Sequence, residues 1–372
     1  MSDAGPVLAI FLATSGHSGV DRVMRNLITE VARRGLPVDL LRIANHGPYF
    51  DEVPQGVRLV DLGTAHVATA FWPLARYLRR RRPAALLTDK DRVNRMALWV
   101  RRLTGVPTRV AVRVGTTVSE NLARRSVLKR WLQYASIRLF YPWADAILVP
   151  SHGAAEDLAR VGRLDPRRIS VVPSPIVGER LLAQAAEPAD HPWFGDPAVP
   201  VVLGVGELCA RKDFATLIRA FARLHADRPC RLMILGEGRQ RPQLEALVRG
   251  LGLEADVAMP GFVANPYAYM ARAALFVLSS RCEGSPVVLM EALAVGVPAV
   301  STDCPSGPRE ILHEGTVGPL APIGDDVALA RAMGETLADP PAAADLRAAA
   351  VPFSVAVSAD RYLAALGVEP PA

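Results

Sequence analysis

The chain has 372 residues, enough for two domains that each bury a hydrophobic core, and none of its apolar runs approaches the roughly 20 residues that a membrane-spanning helix needs. The net charge of +6 is unevenly distributed, because residues 1–185 carry 28 Lys and Arg against 15 Asp and Glu, whereas residues 186–372 carry 15 against 22. This asymmetry leaves two interpretations open: the first half faces an anionic partner such as membrane headgroups, a lipid-phosphate acceptor or nucleic acid, or its arginines are simply solvated.

Strand-like and helix-like segments alternate from the beginning of the chain. Val7–Leu12 predicts a buried parallel strand, and the amphipathic stretch Asp21–Arg34 predicts a helix after it. Further strands are predicted at Val38–Ile43, Ala84–Leu87, Val110–Val114 and Ala146–Val149. This alternation is typical of βαβ units and predicts a doubly wound parallel sheet.

The N-terminus and the cysteines both favour a cytoplasmic protein. No basic segment precedes the first apolar run, so the N-terminus does not have the pattern of a signal peptide. The four cysteines lack the close pairs of a zinc clamp, and we expect ordinary buried thiols without disulfides or metal at Cys209, Cys230, Cys282 and Cys304.

Two motifs of the first half have a less specific meaning. Asp89-Lys-Asp91 matches a metal-binding Asp-x-Asp pattern, but it lies in a basic region, and we expect no metal there. The segment 124–143 mixes Arg and Lys with aromatic residues at helical spacing, which fits a helix on a membrane surface. We favour instead the packing of Trp131, Leu132 and Leu139 into the core, because ordinary helices show the same stripe.

A change of domain is predicted near residue 185, where Pro173-Ser-Pro175 and the Pro-rich stretch 187–200 interrupt the alternation. The pattern then resumes, with strands predicted at Val201–Val205, Arg231–Leu235, Val257–Met259, Leu275–Leu278 and Ala299-Val300. The sequence therefore predicts an N-terminal domain at residues 1–185, a second domain at 186–355, and a C-terminal helix and tail at 356–372 that packs back on the first domain. Ligands of such domains bind beyond the carboxyl ends of the strands, in a cleft that the two domains share.

The most informative motif is Ser280–Ala292, which carries Glu283 and Glu291 on either side of a predicted helix start. Pro286 suits the first helical position, and the preceding Gly-Ser supplies a flexible, hydrogen-bonding approach. A helix N-terminus of this kind attracts phosphate. The eight-residue spacing predicts that the two acids lie on different elements, Glu283 in the loop and Glu291 inside the helix.

Arg211 and Lys212 lie in a short loop after the predicted strand Val201–Val205. Two cations at such a turn suit a diphosphate, although adjacent surface cations are more commonly only solvated. Together with the Glu283 segment, they favour a phosphate site.

Taken together, these segments resemble the retaining GT-B glycosyltransferases, specifically the large family of bacterial capsule, O-antigen and lipid-glycan transferases. The resemblance covers nearly the whole chain, and its most specific element is the Glu-x7-Glu spacing of Glu283 and Glu291. Supporting segments are Gly206–Lys212, Pro260-Gly-Phe262 and Ser301–Ile311. The resemblance implies two Rossmann-like domains facing across a cleft, with a nucleotide-diphosphate sugar as co-substrate and neither cofactor nor metal.

The resemblance also implies roles for individual residues. Glu283 would contact the transferring sugar near the reaction centre as the catalytic residue, and Glu291 would bind the donor ribose. The donor phosphates would be held by residues from both halves of the chain: Lys212, Arg211, Gly284, Ser285, Ser18 and Gly19.

The chain departs from the family pattern at two places. Glu207 stands where the family often has an arginine, and an acid there would repel the diphosphate unless it turned away. The strand Val110–Val114 is not followed by the histidine that many members place near the acceptor. The nearest candidates for acceptor or cleft contact are Arg113 and His17. Arg113 also fits a solvated loop cation, and His17 fits a hydrogen-bonding turn residue equally well.

The sequence therefore predicts a cytoplasmic, metal-independent, retaining transferase that moves a hexose or N-acetylhexosamine, with UDP as the favoured carrier, to a glycan or lipid-linked acceptor in cell-surface polysaccharide synthesis. Its basic first half further predicts peripheral association with the anionic inner face of the plasma membrane. We expect no nucleic-acid partner. Two alternatives stay open: a non-catalytic nucleotide-sugar-binding partner protein, which Glu207 and the missing histidine motivate, and a nucleotide-sugar epimerase on the same architecture.

Overall fold

The structure is a computed structural model that describes residues 6–14, 16, 19–123, 125–195 and 198–370. The chain divides into two compact units, one formed by Met1–Ile176 together with Ser354–Ala372 and the other by Val177–Phe353. Each unit is an α/β layer structure around one sheet, and every strand pairing in both sheets is parallel. The predicted architecture of two parallel-sheet domains is confirmed.

The strands of the first unit are β1 (Leu8–Phe11), β2 (Val38–Arg42), β3 (Val57–Asp61), β4 (Ala85–Asp89), β5 (Arg109–Arg113), β6 (Ala146–Val149) and β7 (Ile169–Val171). Those of the second unit are β8 (Val201–Val205), β9 (Arg231–Leu235), β10 (Val257–Gly261), β11 (Leu275–Leu278), β12 (Ala299–Thr302) and β13 (Leu320–Ala321). The sheet orders are β3-β2-β1-β4-β5-β6-β7 and β10-β9-β8-β11-β12-β13.

The α-helices connect these strands and cover the faces of the sheets. In chain order they are α1 (Gly19–Arg33), α2 (Phe71–Arg81), α3 (Asp91–Thr104), α4 (Val118–Leu122), α5 (Val127–Phe140), α6 (His152–Gly162), α7 (Glu179–Ala186), α8 (Phe214–Asp227), α9 (Arg241–Gly250), α10 (Pro266–Met270), α11 (Val287–Val295), α12 (Pro308–Ile311), α13 (Asp326–Ala338), α14 (Ala343–Ala350) and α15 (Val355–Leu366). A parallel sheet covered on both faces requires apolar residues on both sides, which is why β1, β4, β6 and β11 are buried along their whole length.

The structure places the change of unit between Ile176 and Val177, earlier than the boundary predicted after residue 185. The reason is that α7, which follows Val177, packs against α10 and α11 of the second unit. The chain returns to the first unit at Ser354, where α15 packs against α1, β5 and β6.

Helix α5 contradicts the prediction that its apolar stripe packs into the core. Trp131, Leu132 and Leu139 are all exposed, whereas Ile137 on the opposite side of the helix is buried in the core of the first unit. The periodicity therefore identified the helix correctly but assigned the wrong face to the interior.

A buried ion pair links the carboxyl ends of β4 and β5 to the last helix. The guanidinium of Arg113 pairs with Asp89, and both side chains are 3% exposed. Arg113 Nε also donates a hydrogen bond to Tyr362 Oη of α15 at 2.8 Å. Although burial disfavours the charged form of Arg113, the charges and hydrogen bonds of Tyr362 and Asp89 raise its pKa, so the guanidinium stays charged.

We expect Asp89→Asn to lower the free energy of unfolding of the first unit by about 3 to 5 kcal/mol, because it leaves the buried charge of Arg113 uncompensated. Denaturant unfolding followed by tryptophan fluorescence measures the change. Asp360→Asn is the matched control, since Asp360 pairs with Arg34 through a side chain that is 68% exposed. The control should cost less than about 1 kcal/mol. Equal effects of the two substitutions would contradict a stabilising role of the buried pair.

Candidate functional site

The candidate site lies in the second unit, where the carboxyl ends of β8 and β11 are neighbours. The order of strands along the chain reverses between these two, so the loops after them diverge and leave a crevice at which α/β sheets bind ligands. The loop 206–213 follows β8 and carries Arg211 and Lys212, and the loop 279–286 follows β11 and carries Glu283.

Hydrogen bonds fix these two loops to each other. Arg281 N donates to Arg211 O at 2.8 Å, and Ser279 Oγ donates to Lys212 O at 2.8 Å. Arg281 Nη1 also contacts Asp213 Oδ2 at 2.7 Å. The cations of one loop are therefore held in a defined position relative to the acid of the other.

Glu283 is the centre of the charged cluster. Its Oε1 accepts hydrogen bonds from Lys212 Nζ and Ser280 Oγ, each at 2.7 Å, and its Oε2 lies 3.0 Å from Arg211 Nη1. The Glu283 and Lys212 side chains are 9% and 10% exposed, whereas that of Arg211 is 43% exposed. Lysine and arginine have more N–H donors than these contacts use, so both cations can bind further anionic oxygens.

Burial and the charges within the cluster shift the pKa values of Glu283, Arg211 and Cys304. Burial alone would raise the pKa of Glu283, but the positive charges of Lys212 and Arg211 outweigh it, and the pKa lies below the ordinary value of 4.5. Burial disfavours the charged form of Arg211, whose pKa is nevertheless raised, chiefly by the carboxylate of Glu283. Burial, together with the negative charge of Glu283, also raises the pKa of the Cys304 thiol to about 12. At neutral pH Glu283 is therefore a carboxylate, Arg211 is a cation and the Cys304 thiol is neutral.

Glu291 lies inside α11, separate from the loop that carries Glu283, as the spacing predicted. Its side chain is fully buried, and Oε1 accepts a hydrogen bond from Tyr267 Oη of α10 at 3.1 Å. Tyr267 was not singled out in the sequence, because its contact with Glu291 arises only when α10 packs against α11.

The start of α11 differs from the prediction by one residue. Pro286 has a ψ of 100° and is extended, so it precedes the helix, which begins at Val287. Ser306 Oγ donates to Gly284 O at 3.1 Å and so joins the loop after β12 to the helix start. Gly284 is buried and Ser285 half-buried in this approach, and both lie in the same loop as Glu283.

The Gly236-Glu-Gly238 turn after β9 is required by close packing of backbones. Leu208 N donates to Glu237 O at 2.9 Å, and a Cβ on Gly238 would lie 2.3 Å from Leu208 O. A side chain at this position would therefore displace the loop that carries Lys212. Glu207 is exposed, and its charge adds to the raised pKa of Arg211.

The described candidate residues of the first unit, Gly19 and Arg113, do not form a cluster like that of Glu283, Lys212 and Arg211. His17 and Ser18 lie outside the described residues, and Gly19 is the first residue of α1. Arg113 is buried in its pair with Asp89, which favours a structural role over contact with an acceptor. Two cysteines differ from the prediction of buried thiols, because Cys209 and Cys282 are only half-buried in the loops of the charged cluster.

The Asp-x-Asp motif of the first unit already has cationic partners. Asp89 is bound to Arg113, and Asp91 Oδ2 lies 2.9 Å from Arg95 Nε. Across the part of the chain that the structure describes, no three His, Cys, Asp or Glu side chains are grouped so that they could hold a metal ion.

Two family models match the chain. The model described as "Glycosyl transferases group 1" matches residues 199–339, and the model described as "Glycosyl transferase 4-like domain" matches residues 18–175. Together they span more than half of the chain, and the first contains the whole charged cluster with Glu291.

The chain is also similar to curated and solved proteins. It is 35% identical over 254 residues to N-acetylgalactosamine-N,N'-diacetylbacillosaminyl-diphospho-undecaprenol 4-alpha-N-acetylgalactosaminyltransferase of Campylobacter jejuni, a match that covers 67% of this chain and 66% of the relative. The matches to the first relatives span 44% to 66% of their lengths.

Two solved structures share the whole architecture. HepE of Anabaena, solved in complex with UDP, has a TM-score of 0.78 at 17% identity, over 97% of this chain and 99% of that chain. The apo form of the lipopolysaccharide outer core galactosyltransferase WaaB has a TM-score of 0.75 at 19% identity, over the same shares of the two chains. At these identities the likeness shows the fold, which is the predicted GT-B fold.

The depressed pKa of Glu283 predicts how pH changes the stability of the second unit. Its ionised form stabilises the fold above the ordinary pKa of 4.5, and this contribution is lost as the pH falls through the lower pKa of the folded state. We expect Glu283→Gln to cost about 1 to 3 kcal/mol at neutral pH, because Lys212 loses a charged partner.

Urea unfolding of wild type and Glu283→Gln across the acid range measures this difference, which should shrink once the pH falls below 4.5. Glu245→Gln is the control, since Glu245 pairs with Arg241 through a side chain that is 40% exposed, and its cost should be small. A cost of Glu283→Gln that is the same at every pH would contradict the depressed pKa.

Proposed function

Since this chain belongs to the group 1 glycosyltransferases, we propose that it moves a hexose or N-acetylhexosamine from a nucleotide-diphosphate sugar to a glycan or lipid-linked acceptor in cell-surface polysaccharide synthesis. The proposed reaction retains the configuration of the anomeric carbon, as the resemblance to the Glu-x7-Glu family implies, and uses no metal. The observation that carries the proposal is the cluster of Glu283, Lys212 and Arg211 at the carboxyl ends of β8 and β11.

The charged cluster has the chemistry that the leaving group requires. Breaking the bond between sugar and diphosphate develops negative charge on the diphosphate. Lys212 and Arg211 would bind these oxygens with N–H donors that Glu283 does not occupy. Helix α11 begins directly after the Glu283 loop, and the positive end of its dipole would add to the stabilisation of the diphosphate. In this proposal, the two cations and the helix start would supply the charge that a divalent ion supplies in metal-dependent transferases.

Glu283 would act on the sugar side of the same bond. It is ionised at neutral pH because Lys212 and Arg211 lower its pKa, and Ser280 helps to hold its orientation. A fixed carboxylate can accept hydrogen bonds from sugar hydroxyls and stabilise the positive charge that develops at the anomeric carbon.

Glu291 would accept hydrogen bonds from the ribose hydroxyls. Tyr267 fixes one of its carboxylate oxygens, so the acid keeps a single orientation inside the buried helix. UDP is the favoured carrier, and it is the nucleotide bound to HepE, a protein of the same fold.

The proposed acceptor is linked to lipid at the inner face of the plasma membrane. The name of the Campylobacter jejuni relative describes transfer to a saccharide on diphospho-undecaprenol, which is an anionic lipid carrier. The described helices include none that could span a membrane. The association we propose is peripheral. The excess of basic residues in the first half would attract the anionic lipid.

We expect Glu283→Gln to lower kcat about 100- to 1,000-fold while leaving the Kd for UDP within a few-fold of wild type, because it removes a charge at the sugar and not a phosphate ligand. Release of free UDP in the presence of acceptor, together with UDP titration calorimetry, measures the two quantities. Glu245→Gln should change neither. Wild-type transfer by the Glu283→Gln variant would refute the catalytic assignment.

A thermal-shift series with UDP, GDP and ADP tests the nucleotide. A ligand present at 100 times its Kd stabilises by about 2.7 kcal/mol, and the stabilisation grows as the Kd falls. At equal nucleotide concentrations, the tightest binder gives the largest rise in melting temperature, which we expect for UDP. Lys212→Ala and Glu291→Gln should each reduce the shift, because they remove a phosphate contact and a ribose contact. Binding that never leads to acceptor-dependent release would instead support a non-catalytic binder, and conversion of the donor sugar without acceptor would support an epimerase.

A further inference from the structure

Helix α5 exposes a continuous stripe of apolar side chains to solvent. Val127, Leu128, Trp131, Leu132 and Leu139 are between 52% and 80% exposed. At about 100° per residue, they fall within an arc of about 140° on the helix surface. The opposite side contains the buried Ile137 and attaches the helix to the first unit. The helix is thus amphipathic with its larger apolar surface facing outward.

Exposed apolar residues continue onto α3, which packs against α5, and onto α2, which packs against α3. Trp72 of α2 and Trp99 and Leu103 of α3 are 50% to 72% exposed. The rings are in contact, because the centroids of Phe71 and Trp99 are 6.3 Å apart and those of Trp99 and Phe140 are 6.4 Å apart, both edge to face. We call the exposed apolar residues of these three helices the apolar face: Trp72, Trp99, Leu103, Val127, Leu128, Trp131, Leu132 and Leu139.

The same helices are strongly basic. Within their bounds, α2, α3 and α5 contain eleven Lys and Arg and a single acid, Asp91. On α5 itself Lys129, Arg130 and Arg138 have no acidic residue on the same helix to balance them. Across the three helices, Arg81, Arg95 and Arg101 pair with Asp39, Asp91 and Asp145, so the positive charge is still in large excess. A surface that combines exposed Trp and Leu with an excess of positive charge has the composition of a protein surface that lies in a lipid headgroup layer.

We propose that the apolar face, with the basic residues of α2, α3 and α5, docks the first unit on an anionic lipid bilayer. A bilayer satisfies both observations, because its headgroups attract the arginines while its interface accepts tryptophan and leucine. A second copy of the chain would cover the apolar residues but would bring the same basic helices together. The inference deepens the proposed function, since a docked enzyme would meet a lipid-linked acceptor in the plane of the membrane.

The test is binding of the full chain to vesicles of phosphatidylcholine with and without phosphatidylglycerol, measured by flotation at low and high salt. We expect binding to the anionic vesicles, weakening with salt and nearly absent on neutral vesicles. Replacing Leu128, Trp131 and Leu132 together by Ser should weaken binding at least tenfold while leaving the thermal melt unchanged, because all three side chains are exposed. Lys129→Gln should weaken binding about fivefold.

Matched controls come from the second unit. Val327→Ser removes an apolar side chain that is 58% exposed, and Arg331→Gln removes an exposed charge, so neither should change vesicle binding. Wild-type binding by the triple Ser variant, or equal binding to neutral and anionic vesicles, would overturn the proposal. So would light scattering that shows a dimer which the triple variant dissociates, because the apolar face would then be an interface between copies.

The outcome does not depend on catalysis, because vesicle binding is measured without donor or acceptor. A protein that binds anionic vesicles but transfers no sugar would refute the proposed function and leave the docking surface standing. A protein that transfers sugar to a detergent-solubilised acceptor but binds no vesicles would refute the docking surface and leave the proposed function standing.

Discussion

The parallel pairing of β8 with β11 is the constraint on which the candidate site depends. These strands are more than 70 residues apart in the chain, yet their pairing sets the loop of Lys212 beside the loop of Glu283. Hydrogen bonds between the two loops then fix the distance at which acid and cation meet. The fold thereby holds two opposite charges in a largely buried position where neither would be stable alone.

The Arg113–Asp89 pair of the first unit and the Glu283 cluster of the second unit differ in how much cationic surface they leave exposed. In the first unit, Arg113 is enclosed between Asp89 and Tyr362, and its charge is used to join the sheet to the last helix. In the second unit, Glu283 contacts two cations, Lys212 and Arg211, and the side chain of Arg211 is partly exposed to water. Similar ion pairs at the carboxyl ends of strands are therefore fully enclosed in one unit and leave a cation partly exposed to water in the other.

Patterns in the sequence predicted the features that depend on residues close together in the chain. The central strands were found because burial on both faces demands continuous apolar runs, and Glu283 and Glu291 were assigned to different elements by their spacing. The edge strands β3, β7 and β13 were missed, since they are partly exposed and lack such runs. The outward face of α5 and the Tyr267 contact depend on how helices pack, which periodicity does not encode.

The first unit is discontinuous, because its last helix is supplied by residues that follow the entire second unit. During synthesis, residues 177–353 are complete before α15 leaves the ribosome, so the later unit in the chain can acquire its core first. Until α15 arrives, the buried charge of Arg113 lacks the Tyr362 hydroxyl, and the sheet surface that the helix covers is open to solvent. The first unit therefore completes its core only after all residues of the second unit have been synthesised.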